Sequence, residues 1–250
     1  MKFTLFAPNF VHYSTGIRAL YLLGEYLIDL GHEVDAVNYQ DMPFKDKPPV
    51  GCRMRFIDSK DIQKSVVIVP EVLDIKTNLP ILRWCLNVPG KLGGPKVYGS
   101  NEFVVYYNDE IAEVAKSASI DGVAHELTIG VIEPLTNQNK KRVLDLWYEG
   151  KGQSDSSHGL DALRLTRQWP PTRMELFSLL DKCEEFYSYD DYSGMNLEAY
   201  LCGCNVHIRK NCEWVPYVAD RPERHIANPE RDRASVARIV EILTKALESA

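Results

Sequence analysis

The sequence predicts an α/β protein with two successive domains, each built on a largely parallel sheet. Three observations carry this. The chain opens with strand, helix and strand in immediate succession. Ser65–Glu71 is a near-continuous β-branched run of the kind buried on both faces of a parallel sheet. After a polar, unpatterned stretch at Leu135–Lys141, the same strand–loop–helix order begins again.

Lys2–Ala7 is the first apolar strand, and Pro8–Gly16 is the loop that leaves it. From Ile17 the apolar residues Leu20, Leu23, Leu27 and Leu30 recur at helical spacing, and Gly31 supplies the stop. Glu33–Asn38 follows as a second strand. Pro70-Glu71 closes the β-branched run at its carboxyl end, the edge where ligands bind in open α/β sheets. Leu82–Leu86 fits strand or helix, and periodicity does not decide between them. Asn87–Pro95 is too dense in Gly and Pro for anything but a loop. Glu102–Tyr107 and Gly130–Ile132 read as further strands.

The second cycle starts with a strand over Arg142–Tyr148 that runs into Glu149-Gly-Lys-Gly152. Gln153–Gly159 is a polar loop. Thr172-Arg-Met-Glu175 is a capping box that opens a helix carrying Leu176, Leu179 and Leu180. The most informative stretch is Glu185–Ile208: a buried strand, an acidic loop, a helix starting at Ser193, a glycine stop and a second strand. Such a unit aims backbone N–H groups and a positive helix end at the loop, where a phosphate can sit. It also places Asp190 and Glu198 around that loop, acids suited to accept hydrogen bonds from ribose or sugar hydroxyls. Asn228-Pro229 caps a final helix in which Val236, Ile239, Val240, Leu243 and Leu247 share a face.

Composition bounds the function. The 250 residues suit one large domain or two smaller ones, and the formal charge of -6 argues against a nucleic-acid binder. Met1–Ala7 is too short an apolar run for a signal peptide, and no run reaches the roughly 18 residues of a membrane span. The six cysteines lack zinc-ribbon spacing and read as small buried thiols of a reducing cytoplasm.

The spacing Asp190-x7-Glu198-Ala199 with Leu201–Val206 resembles the acid-x7-Glu motif and trailing Ala-x-x-x-Gly-x-Pro-Val of retaining nucleotide-sugar glycosyltransferases. Gly16 with Gly31-His-Glu-Val34 resembles their N-terminal glycine loop and Gly-His-x-Val turn. Asn87–Gly94 and Trp169–Leu176 look like segments of glycosyltransferase-like proteins from bacterial surface-polysaccharide clusters. The chain departs from the family in carrying Asp190 for Glu and Asn205 for Pro. Lys151 follows the expected strand, but its Arg partner is not at the family's spacing.

The resemblance implies the GT-B fold in a minimal form: two Rossmann-like domains facing a central cleft. The N-terminal, acceptor-side domain would span residues 1–135. The nucleotide-sugar donor domain would span 136–250, with the last helix returning to the first. The implied activity is metal-independent transfer of a sugar, with retained configuration, from a nucleoside-diphosphate sugar. The acceptor would be a glycan, lipid-linked or other hydroxyl, in cytoplasmic polysaccharide biosynthesis. That scheme needs no cofactor beyond the donor as co-substrate, no nucleic acid and no transmembrane segment, and it admits peripheral membrane contact. Lys151, Arg173 and Asp190 are the catalytic candidates. Gly16, Ser193, Gly194, Met195 and Glu198 are the candidates for holding the donor. Arg173 is singled out by chemistry as well, since a cation at a helix start is unfavourable unless an anion compensates it. Arg167, His12 and Glu71 are weaker candidates. Two alternatives stay open: a non-catalytic nucleotide- or glycan-binding protein of this fold, and a nucleotide-sugar epimerase.

Overall fold

The computed structural model describes residues 1–39, 51–133, 141–152 and 160–249. The expected linker at Leu135–Lys141 falls almost wholly outside them, and Gln153–Gly159 falls entirely outside. The chain divides into two compact units. The first comprises residues 1–11, 16–131 and 227–250; the second comprises 12–15 and 132–226.

The first unit is built on a seven-stranded sheet in which every pairing is parallel. Its strands are β1 (Lys2–Ala7), β2 (Glu33–Asn38), β3 (Arg55–Phe56), β4 (Val66–Pro70), β5 (Ile81–Cys85), β6 (Glu102–Tyr106) and β7 (His125–Glu126). Their spatial order is β3-β2-β1-β4-β5-β6-β7, the doubly wound order in which the direction of winding reverses between β1 and β4. β4 is buried along its whole length, as its unbroken apolar run requires. The ambiguous segment at Leu82–Leu86 becomes β5, because parallel partners flank it on both sides.

Helix α1 (Thr15–Asp29) follows β1 and buries Leu20, Leu23 and Leu27. Gly31 ends that turn at a φ of 82°, a conformation that favours glycine. Helix α2 (Asp109–Ala118) packs through Ile111, Ala112, Ala115 and Ala118.

The second unit carries a mixed five-stranded sheet. Its elements are β8 (Leu144–Tyr148), β9 (Leu163–Leu165), α3 (Arg173–Leu180), β10 (Cys183–Ser188), α4 (Gly194–Leu201), β11 (Asn205–Lys210) and β12 (Glu213–Pro216). The closing helix, α5 (Pro229–Ser249), belongs to the first unit and buries Val236, Ile239, Val240 and Leu243. The sheet order is β12-β11-β10-β8-β9, parallel except for the β11–β12 hairpin. One face of this sheet, with Leu146, Tyr148, Leu165, Phe186 and Val206, packs on Leu176 and Leu180 of α3 and Met195 and Ala199 of α4. From β8 the chain steps to β9 on one side and returns to β10 on the other. The winding therefore reverses between β8 and β10.

One expected strand is corrected. Gly130–Ile132 forms only an isolated parallel bridge between Ile132 and Ile226. The Ile132 amide donates to the His225 carbonyl at 3.0 Å. The Gly130 amide instead donates to the Asp232 carboxylate at 3.1 Å, so no ladder propagates.

Candidate functional site

The reversal between β8 and β10 puts two loops side by side at the carboxyl edge of the second sheet. After β8 the chain makes Glu149-Gly-Lys-Gly152; after β10 it makes Tyr189–Ser193. These loops fit only because two glycines lack a side chain. Gly150 has a φ of 60°, and a Cβ there would lie 2.6 Å from atoms of the Asp190 side chain. A Cβ on Gly152 would collide with the backbone carbonyl of Tyr189.

Asp190 fastens the loops together from a buried position, at 5% exposure. One carboxylate oxygen accepts the Lys151 amide at 3.0 Å and the other accepts the Tyr192 amide at 3.3 Å. The Asp190 amide donates to Ser188 Oγ at 3.2 Å, and the Asp190 carbonyl accepts Asn196 Nδ2 at 2.7 Å. The ammonium of Lys151 lies 4.0 Å from the same oxygen that takes its amide, with its side chain 32% exposed. That is a cation held at the edge by its backbone yet open to solvent.

Helix α4 begins beside this loop. Ser193 is its N-cap, the Oγ accepting the Met195 amide at 3.2 Å. Gly194 is the first helical residue, and a Cβ there would collide with Thr15 Oγ1, which belongs to the same unit. Met195 contributes its amide to the cap and its side chain to the core.

Glu198, one turn on and 1% exposed, is gripped by Arg173 from the start of α3. Nη1 of Arg173 donates to both Glu198 oxygens, at 3.1 and 2.9 Å, and Nη2 donates to Glu133 at 2.6 Å. The Phe177 ring lies 4.5 Å beneath the guanidinium. Burial works against the charge on Arg173, but Glu198 and Glu133 outweigh it and hold its pKa above the ordinary arginine value. The capping box at Thr172 and Glu175 forms as the spacing predicts. The N-terminal ends of α3 and α4 thus reach the same edge of the sheet, tied by the Arg173–Glu198 fork.

Three residues join this edge that the sequence did not single out. Tyr148 ends β8 at 5% exposure, and its phenol is pushed up to about 12 by burial and then by the charge of Asp190. Tyr13 lies under the guanidinium of Arg167, 5.6 Å from ring centre to Cζ, and Thr15 meets Gly194. Only contact across the fold could find Tyr13 and Thr15. Tyr148 had a signal: it is the residue immediately before the Gly-Lys-Gly loop.

Of the residues expected to act, Lys151, Asp190, Ser193, Gly194, Met195, Arg173 and Glu198 fall in the second unit. Gly16 falls in the first, as the second residue of α1, where a Cβ would make ordinary contact with Leu86 at 3.7 Å. No steric demand for glycine exists there. Glu71 is also in the first unit, at 3% exposure, and its carboxylate accepts the Leu86 amide at 2.9 Å. Among the described residues no group of His, Cys, Asp or Glu side chains is placed to hold a metal ion. Among the same residues no helix is long and apolar enough to cross a membrane. Comparison with protein-family models, with curated proteins and with solved structures returns no match.

Proposed function

We propose that the chain is a glycosyltransferase that takes a nucleoside-diphosphate sugar, with the diphosphate seated at the carboxyl edge of β8 and β10. One observation carries this reading: the Gly150-Lys151-Gly152 loop and the start of α4 converge where the strand order reverses. Open α/β sheets bind ligands at that point, and a helix start with a neighbouring ammonium favours an anion.

The chemistry follows from where charge grows. As the glycosidic bond breaks, negative charge builds on the departing diphosphate. A fixed Lys151 and the α4 amides meet it more strongly in the transition state than in the ground state. Asp190 holds the Lys151 loop in place, and Arg173 with Glu198 fixes the two helix starts. In this reading they position the donor site, in addition to any contact with the sugar or ribose. Sugar transfer itself, retention of configuration, independence from metal and a place in cytoplasmic glycan assembly rest on the motif resemblance.

A second reading has its own support. Both acids of the motif are engaged within the protein, Asp190 with the Lys151 and Tyr192 amides and Glu198 with Arg173. That suits a nucleotide-binding protein without transfer activity. Calorimetry with nucleoside diphosphates, followed by turnover assays with labelled nucleotide sugars, separates the readings. Binding with acceptor-dependent turnover supports the transferase, and turnover without acceptor supports an epimerase. Binding alone supports the non-catalytic protein. Failure of every nucleoside diphosphate to bind would overturn all three.

A further inference from the structure

Lys151, Arg164, Arg167 and Arg173 stand on or beside β8, β9 and α3, and they differ in what neutralises them. Arg173 is held by Glu133 at 2.6 Å and Glu198 at 2.9 Å. Arg164, on β9, is held by Glu149 at 2.5 Å and lies 5.0 Å over the Trp147 ring. Lys151 stands 4.0 Å from Asp190. Arg167 is exposed, and among the described residues its guanidinium has no hydrogen bond and no carboxylate within ion-pair reach. Its contact is with the ring of Tyr13, 5.6 Å from centroid to Cζ. It is therefore the cation that can meet an incoming anion without giving up a partner.

The strand register sets Arg167 beside the site. Leu165, the last residue of β9, is the lateral partner of Tyr148, the last residue of β8. Arg167 follows two residues after the one and Lys151 three residues after the other. Both thus leave the same edge from neighbouring strands about 4.8 Å apart. The turn after β9 is pinned: Thr166 Oγ1 accepts the Gln168 and Trp169 amides at 3.2 and 3.0 Å, and the Thr166 amide donates to the Trp169 carbonyl at 3.0 Å. Tyr13 holds the far end of the side chain. Two residues on, Thr15 abuts Gly194, the first residue of α4. Two residues reach at most about 7 Å, so the ring beneath Arg167 neighbours the start of that helix. A guanidinium lying over a ring keeps its in-plane N–H donors available to an anion. At Tyr148, burial and then the charge of Asp190 push the phenol up, and the charge of Arg167 opposes them.

We propose, resting on the reading of this edge as a diphosphate seat, that Arg167 carried on Tyr13 is its second cation. Arg167 and Lys151 each take one phosphoryl group, which makes the site selective for nucleoside diphosphates over monophosphates. The two cations differ in kind: Arg167 offers a planar fork that grips two oxygens, and Lys151 offers a point charge. Two phosphoryl groups joined by an oxygen can engage both at once, and a single phosphoryl group cannot satisfy both equally. Arg173 does not fill this place, because it would have to release Glu198 and Glu133. Tyr13 acts through Arg167 and is a positioning residue.

Calorimetry with ADP, GDP, UDP and CDP, and with the monophosphate and the nucleoside of whichever binds best, tests this. Arg167→Gln should lower diphosphate affinity by about tenfold to a hundredfold, bring it close to that of the monophosphate, and leave nucleoside affinity unchanged. Arg167→Lys should recover part of the loss. Tyr13→Leu should lower diphosphate affinity by about twofold to fivefold, and Tyr13→Phe, which keeps a ring under the guanidinium, should not. Urea unfolding without ligand is the control: Arg167 is exposed with one ring contact, so Arg167→Gln should unfold much as wild type does. Undiminished diphosphate affinity in folded Arg167→Gln, with Lys151→Met still weakened, would overturn this proposal and leave the reading of the site standing. Equal loss for nucleoside and diphosphate would also overturn it, by moving Arg167 away from the phosphates. Failure of every nucleoside diphosphate to bind wild type would overturn both.

Discussion

Arg173 and Glu198 form a buried forked tie in the second unit: one guanidinium nitrogen bonds both carboxylate oxygens, at 3.1 and 2.9 Å, with Glu198 almost wholly buried. This explains a misfit visible in the sequence. A cation at a helix start opposes the dipole of α3, and two carboxylates from outside that helix compensate it. The pair fixes the start of α3 against α4, so its first consequence is mechanical.

Glu198→Ala should therefore destabilise the protein even without ligand. Removing one partner of a buried pair leaves an uncompensated charge, at a cost of about 3–5 kcal/mol. Glu133 still neutralises part of Arg173, which puts the expected loss near the lower end, about 3 kcal/mol. Urea unfolding of the ligand-free protein measures it. Unchanged stability with weakened nucleotide binding would return Glu198 to a purely ligand-facing role.

Gly194 offers a sharper steric test. A methyl group there would run into Thr15 Oγ1 and Cβ, atoms of the same unit. Gly194→Ala should cost about 1–3 kcal/mol, the usual range for overpacking, even though alanine is the better helix former. Adding Thr15→Gly should recover part of that loss. Two additive penalties in a double-mutant cycle would mean the residues do not press on each other.

Much of this architecture is legible in the sequence, for local reasons. The strands at Lys2–Ala7 and Glu33–Asn38 appear with their expected limits, because alternating or continuous apolar runs bounded by Pro and Gly are strong local signals. The Ser193 cap and the Thr172 capping box are equally local. The short strands β3 and β7, with two residues each, carry no periodicity and exist only through a neighbour's ladder. Helix α2 is short, and its local signal is limited to Asp109 and Glu110 at its start and Ile111, Ala112 and Ala115 on its apolar face. At the site, the sequence shows which loops carry Lys151 and Asp190. It does not show that Asp190 binds the Lys151 amide or that Glu198 is held by Arg173. Those partners are 39 and 25 residues away along the chain; the β8–β10 pairing brings the first two together, and the packing of α3 and α4 in one core brings the second.

Tyr148 gives a pH dependence whose sign is fixed. Its phenol titrates at about 12 in the folded protein, against roughly 10 for a free tyrosine. The raised value means that stability from this group is complete below pH ~10 and declines as pH rises through 12. Tyr21 and Tyr39 of the first unit are also pushed up to about 12, so wild type alone cannot isolate one phenol. The difference between wild type and Tyr148→Phe should be constant at neutral pH and shrink toward strongly alkaline pH. A difference that stays flat across that window would mean Tyr148 ionises normally.

Lys151 allows the cleanest test of the proposed diphosphate seat, because its structural bond and its functional charge are on different atoms. The backbone amide of Lys151 holds Asp190 at 3.0 Å, and any side chain preserves that bond. The ammonium, 4.0 Å from the carboxylate and partly exposed, contributes at most about 1 kcal/mol to stability as a surface pair. Lys151→Met should therefore fold and unfold much as wild type does. Its affinity for a nucleoside diphosphate should fall by about tenfold to a hundredfold, the value of a charge-assisted hydrogen bond, while affinity for the uncharged nucleoside stays unchanged. If the protein transfers sugar, turnover should fall further than affinity, because the charge that Lys151 meets is larger in the transition state. Equal loss for nucleoside and nucleoside diphosphate would place the phosphates elsewhere. Full diphosphate affinity in Lys151→Met would remove the β8–β10 edge as the donor site.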